Sequence, residues 1–244
     1  MHDASSAPAG ADQALVESSL DAIEAFWAET CDGPCPRDRV WNVVARYYAT
    51  WQPRSSSRRA AAIHEAAHFA AMHVEGFGAR HAKIYNRSDG WCGEAASLTT
   101  SCLNNPRSLV RKARATLAGP LAEELFGDAG NEAIADCFEE FLHAGFIVKR
   151  AAMLWGQSNA ALWQSTVIEA AALVEFWTAE ICDIAAVLAR RKIIHAQDRP
   201  IRHILARVSA KSLTIWKFSP RCMDILTSVL PLASSTNERK QPRQ

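Results

Sequence analysis

The sequence lacks several features that sort proteins into broad classes. It has no uncharged apolar run of about 18 residues, the length needed to cross a bilayer. Its best stretch, Ala170 to Ala189, is broken by Glu175, Glu180 and Asp183, so no membrane span is expected. It has almost no net charge: 27 Lys and Arg against 26 Asp and Glu leave +1. That balance gives no electrostatic reason to expect nucleic acid as a partner. The opening Met1-His2-Asp3 carries neither the basic nor the apolar part of a secretory signal. Seven cysteines, spread from Cys31 to Cys222, are odd in number and too sparse for a disulfide framework. The expectation is a reducing, cytoplasmic location. Cys31 and Cys35 are close, but no second pair completes a zinc knuckle, and they read as ordinary thiols.

What remains is ordinary globular material. With 244 residues, 49% hydrophobic and 22% charged, the chain can bury one sizeable core, and global disorder is excluded. Residues 1–10 are small and polar and read as a flexible start. Helical spacing of Leu15, Leu20, Ile23, Phe26 and Trp27 predicts a helix over 11–30. A second helix is expected over 37–51, and Pro53 to Ser57 reads as a linker ending in N-cap serines. The Ala-rich run 58–74, free of Pro and Gly, predicts a helix. Ala82–Asn86 and Trp91–Leu98, separated by the turn-like Arg87-Ser-Asp-Gly90, read as two strands. Helices are then expected over 107–126, 131–154, 161–192, 200–209 and 219–231, before a polar tail. Trp155, Trp163 and Trp177 lie in helical stretches and read as core. The fold class expected is mainly α with a small β-sheet, an α+β chain. The domain boundaries expected are a flexible 1–10, a helical extension 11–55, one domain 56–232 and a tail 233–244.

The residues that carry chemistry are His64-Glu65-Ala66-Ala67-His68, inside the predicted Ala-rich helix. Residues four apart share a helix face, so both imidazoles can reach one metal ion. Glu65 is rotated about 100° from His64. It can address a water beside the metal rather than the metal itself. This is the His-Glu-x-x-His arrangement of zinc peptidases. A catalytic zinc needs a third protein ligand. His73, His81, Glu123-Glu124, Glu132 and Asp136 are all downstream candidates. Glu132 and Asp136 stand one helical turn apart, a spacing that can supply a ligand and a partner for a ligating histidine.

His64-Glu65-Ala-Ala-His68, a short β element, Leu117-Ala-Gly-Pro-Leu-Ala-Glu-Glu-Leu-Phe-Gly127 and then Asp136 resemble the peptidase domain of the FtsH-type (M41) zinc metalloproteases. The resemblance covers about residues 60–140. It implies a zincin-like helical metallopeptidase domain. It also implies zinc held by His64, His68 and Asp136, with Glu65 as general base. The chain departs from the family pattern. Ala67 stands where Gly precedes the second His, Ala118-Gly119 replaces Gly-Gly, and Pro120 replaces an Arg. No Gly-x-x-x-x-Gly-Lys-Ser/Thr occurs, so the resemblance extends to a stand-alone peptidase domain without the ATPase module or membrane helices. Asn131-Glu-Ala-Ile-Ala-Asp136 is also similar to a thermolysin-like segment, which would make Glu132 the third ligand. In those enzymes that Glu follows the second His at a much shorter distance.

The function expected is an ATP-independent zinc endopeptidase acting on flexible protein or peptide substrates, with strand Trp91–Leu98 as a place where an extended substrate can add. Two other readings stand beside it. One is a non-catalytic helical module that binds a partner protein through its N-terminal helices. The other is a regulatory protease with a single dedicated substrate. Nothing in the sequence sets the oligomeric state.

Overall fold

A computed structural model of the chain describes residues 57–88, 90–99, 104–127 and 137–210, together with Glu17, Leu20, Asp21 and Glu24 near the N-terminus. Those four are helical, with Leu20 buried and its acidic neighbours exposed, in keeping with the helix expected over 11–30. The second expected helix, the Cys31–Cys35 pair, Glu132, Asp136 and the last helix lie outside the described residues.

The described chain is helical with one small antiparallel sheet, the mainly α, α+β class expected. Helix α1, Arg58–Val74, leads into the hairpin of β1, Ala79–Arg87, and β2, Gly90–Ser97. Helices α2 (Pro106–Phe126), α3 (Phe138–Trp155), α4 (Asn159–Phe176) and α5 (Thr178–Arg191) follow. A short strand β3, Ile193–His195, and helix α6, Arg199–Ala210, complete it. The sheet order is β2-β1-β3, with both pairings antiparallel. None of the described helices is long and apolar enough to cross a membrane.

Helix α1 is the hub. It packs against β1 and β2, against α2 and against α5. Its alanines make this possible: Ala60, Ala61, Ala62, Ala66, Ala67, Ala70 and Ala71 are all buried, so neighbours approach from several sides. Ser57 starts it by accepting the Ala60 N–H at 3.0 Å. Its C-terminus is closed by Gly76 N–H to the His73 carbonyl and Phe77 N–H to the Met72 carbonyl. This is a Schellman pair, and Gly76 supplies the left-handed φ of 77° that it requires. Glu75, at that end, is buried and pairs with Arg114 of α2, which also pairs with Glu169 of α4.

The sheet face against α1 carries Ala82, Ile84, Trp91, Gly93 and Ala95, mostly small side chains. A bulge at Arg80 shifts the register so that Ala79 and Ala82 both point inward.

The structure corrects four sequence expectations. The helix expected over 161–192 is two helices, broken at Trp177. Strand β1 is longer than the expected Ala82–Asn86, and β2 starts and ends one residue earlier than the expected Trp91–Leu98. Strand β3 was not anticipated, because three residues carry no periodicity. Trp163 and Trp177 are core residues, but Trp155 at the end of α3 is 38% exposed.

Candidate metal centre

His64 and His68 leave α1 on the side covered by α2 and α3. The two Nε2 atoms stand 3.0 Å apart, and Oε1 of Glu140, from the first turn of α3, is 3.2 Å from each. Tetrahedral zinc, with ligand atoms about 2.0–2.1 Å away, requires those atoms to be roughly 3.3–3.4 Å apart. The observed triangle is within a few tenths of an ångström of that requirement.

The outer nitrogens decide what the inner ones present. Nδ1 of His68 is 2.8 Å from the Ala115 carbonyl, which can only accept, so this nitrogen carries the hydrogen. Nδ1 of His64 is 3.1 Å from Oε2 of Glu123, a carboxylate that fixes the same tautomer. Two neutral imidazoles in this state turn two lone pairs and a carboxylate oxygen toward one point. A proton on Nε2 of His64, or a metal ion held by all three atoms, relieves the repulsion among them. The donor set of two imidazoles and one carboxylate fits zinc.

The charges answer to the same geometry. Burial works against a charged His64, but Glu140 first, then Cys137 and Glu123, outweigh it and hold the imidazole well above its ordinary value. Burial likewise works against a charged Glu140, yet His64 and His68 keep its carboxyl well below the usual range. Burial pushes the Cys137 thiol up to about 12 despite the neighbouring His64, so it stays protonated at neutral pH. His64, Glu123 and Cys137 form a second grouping of possible ligand atoms, but it uses the His64 nitrogen already given to Glu123.

Two glycines make room. Gly119, inside α2, faces the imidazole pair. A Cβ there would overlap Nε2 of His68 and stand 2.7 Å from Nε2 of His64. Gly93, in β2, faces Glu65. A Cβ there would overlap Cγ of Glu65 and stand 2.8 Å from its Oε1. Pro120, beside Gly119, has no N–H to offer the Thr116 carbonyl one turn earlier, yet α2 runs through it.

Glu65 therefore points away from the imidazoles and toward β2, as the 100° offset implies. Its Oε2 is buried and has no hydrogen-bond partner among the described residues. Burial raises its carboxyl above the ordinary range, against the pull of His64 and His68. A carboxylate so placed is ready to take a proton.

Of the residues predicted from sequence, the structure brings His64, His68 and Glu65 together. Asp136 and Glu132 lie outside the described residues. His73 is away from the cluster, 2.8 Å from the Ser209 hydroxyl, and His81 faces Glu94 at 3.5 Å. The sequence reading missed Glu140 and the orienting roles of Glu123 and the Ala115 carbonyl. One signal was available for Glu140: it continues the four-residue spacing of Glu132 and Asp136. No protein-family model matches the chain, and no curated protein matches it.

Proposed function

We propose that the chain is a zinc-dependent endopeptidase in which His64, His68 and a carboxylate hold the metal and Glu65 is the general base. The observation that carries this reading is the convergence of two Nε2 lone pairs and Glu140 Oε1 within 3.0–3.2 Å of one another. The resemblance to FtsH-type peptidases supports the same assignment of His64, Glu65 and His68.

When bound, zinc supplies a Lewis acid that acidifies water and polarises a peptide carbonyl. Glu65 accepts the proton as water attacks and returns it to the leaving amine. Glu123 and the Ala115 carbonyl hold the imidazoles in the tautomer that binds metal. Strand β2 has no neighbour on its outer edge among the described residues, and it runs past Glu65 at Gly93. An extended substrate adding to that edge places its backbone beside the base.

Glu140 is the third ligand that the geometry favours, and Asp136 is the one that the resemblance assigns. Elemental analysis of chelator-free protein separates them. About one zinc per chain is expected in wild type, with loss in His68→Ala and Glu140→Ala. Loss in Asp136→Ala with retention in Glu140→Ala would move the ligand to Asp136, and loss only in Glu132→Ala would favour the thermolysin-like alternative. In the same preparation Glu65→Gln should keep its zinc and lose cleavage by roughly 100- to 10,000-fold. Zinc-loaded wild type that cleaves nothing Glu65→Gln spares would leave a binding module instead.

A further inference from the structure

We propose that Trp91, flanked by Arg58 and Lys192, forms a subsite that receives an acidic side chain of the peptide held beside Glu65. This inference rests on the peptidase reading and adds a substrate class to it.

Trp91 lies two residues before Gly93 on β2, so the two share the face turned toward α1. The Arg58 guanidinium is 5.1 Å from the Trp91 ring centroid, and the Lys192 ammonium is 5.7 Å from it. Arg58 also donates to the Arg190 carbonyl at 3.4 Å, which joins the start of α1 to the end of α5 beside the indole. Arg58, Arg190 and Lys192 are all exposed. Among the described residues none of the three faces a carboxylate. Their neighbours do: Arg191 pairs with Asp198 at 3.8 Å, and Lys83 with Glu94 at 2.8 Å.

Both cations at the ring sit against local preference. Arg58 is the first residue of α1, whose first turn has no acidic side chain, so its charge stands at the positive end of the helix dipole. Lys192 caps α5 with φ 65°, a left-handed conformation that glycine ordinarily supplies. It is the only non-glycine with positive φ among the described residues. The charge of Lys192 suits the C-terminal end of α5, so its departure is the left-handed φ alone, and it meets the misplaced charge of Arg58 on one aromatic ring.

The placement suits a substrate. Arg58 is seven residues of helix from Glu65, about 10 Å along the axis. About three residues of extended chain cover that distance. A peptide paired antiparallel with the open edge of β2 turns the side chain opposite Trp91 to the same face as the indole. If its scissile bond lies opposite Gly93, that side chain belongs two residues C-terminal to the bond. Parallel pairing puts it on the N-terminal side. An acidic group there is drawn to two cations that no carboxylate of the described residues matches.

The test uses full-length, zinc-loaded protein and short fluorescein-labelled peptides that differ only in a single Glu, Gln or Lys at successive positions. Binding is read by fluorescence anisotropy on Glu65→Gln, and cleavage on wild type. At one position, two residues from the cleaved bond, Glu should outrank Lys by about tenfold in both readouts, and the preference should fade with salt. Arg58→Gln and Lys192→Gly should each collapse that ratio. Lys192→Gly should melt no lower than wild type, because glycine suits the left-handed cap, so its loss of preference cannot be put down to misfolding. Cleavage with equal preference for Glu and Lys would overturn the subsite and leave the peptidase standing. A Glu preference untouched by both variants would also overturn it. A Glu preference in binding without cleavage by wild type would uphold the subsite and sink the peptidase reading. Tighter binding of a single-stranded oligonucleotide than of any acidic peptide would overturn it in favour of a nucleic-acid surface.

Discussion

Gly119 contributes no side chain, and that is its part in the site. Alanine is the better helix former by about 1 kcal/mol, so Gly119→Ala should leave the helical circular dichroism intact. Its methyl group would stand against both Nε2 atoms, where a shared cation has to be. Zinc affinity should therefore fall by more than about 100-fold, as read by competition with a chromogenic chelator, and unchanged affinity would remove the site from between these imidazoles. Glu123 acts one bond further out. With Glu123→Gln the hydrogen bond to Nδ1 of His64 survives in form but loses its charge. A loss of roughly 10- to 100-fold in zinc affinity is expected in the same assay, as for other partners of metal-bound histidines. The histidine pair was legible because i, i+4 on a helix is a local geometry. Glu140 was not, because its place beside the pair depends on how α3 packs on α2.

At the scale of elements, the sequence marked the pieces whose causes are local. Ser57, one of the expected N-cap serines, accepts from Ala60; Asn105 and Ser158, not singled out from the sequence, cap α2 and α4 in the same way by accepting from Ser108 and Ala161. The hairpin closes between Arg87 and Gly90, where turn residues announced it. The break between α4 and α5 has no such signal, since neither Gly nor Pro stands at 177. Its cause is tertiary: Trp177 is buried, and its indole N–H reaches the Val208 carbonyl of α6 at 3.3 Å. Trp177→Ala should cost about 3–5 kcal/mol in urea unfolding. Trp177→Phe keeps an aromatic ring, though a smaller one, and drops the hydrogen bond, and should cost less, on the order of 1–2 kcal/mol. Equal costs would mean that the hydrogen bond, not the packing, sets the junction.

For the whole molecule, the candidate centre joins parts of the chain far apart in sequence. Metal that binds only the folded state stabilises it by mass action, about 4 kcal/mol at a thousandfold excess over Kd. The pH dependence should differ in sign with and without zinc. In zinc-free protein His64 has a raised pKa, so its contribution is full below the unfolded value near 6.5 and is lost as pH rises through the folded one. The depressed Glu140 contributes above about 4.5 and loses that only as pH falls through its lowered value. Zinc requires His64 neutral and gains as pH rises. Thermal melts between about pH 6 and 9 should show the chelated protein weakening as the zinc-induced rise in Tm grows. A zinc effect flat across that range would mean that His64 is not a ligand.

The outer edge of β2, open among the described residues, also bears on how the protein keeps company with itself. A strand whose outer N–H and C=O groups stand ready for one extended chain is equally ready for another copy of its own kind. Among the described residues, Glu94 is the one charged side chain on β2, and it pairs with Lys83 of β1. Crowding at high concentration would then compete with substrate for the same row of hydrogen bonds. A saturating peptide would act as a solubiliser, keeping the molecules apart by occupying the seat they would otherwise offer one another.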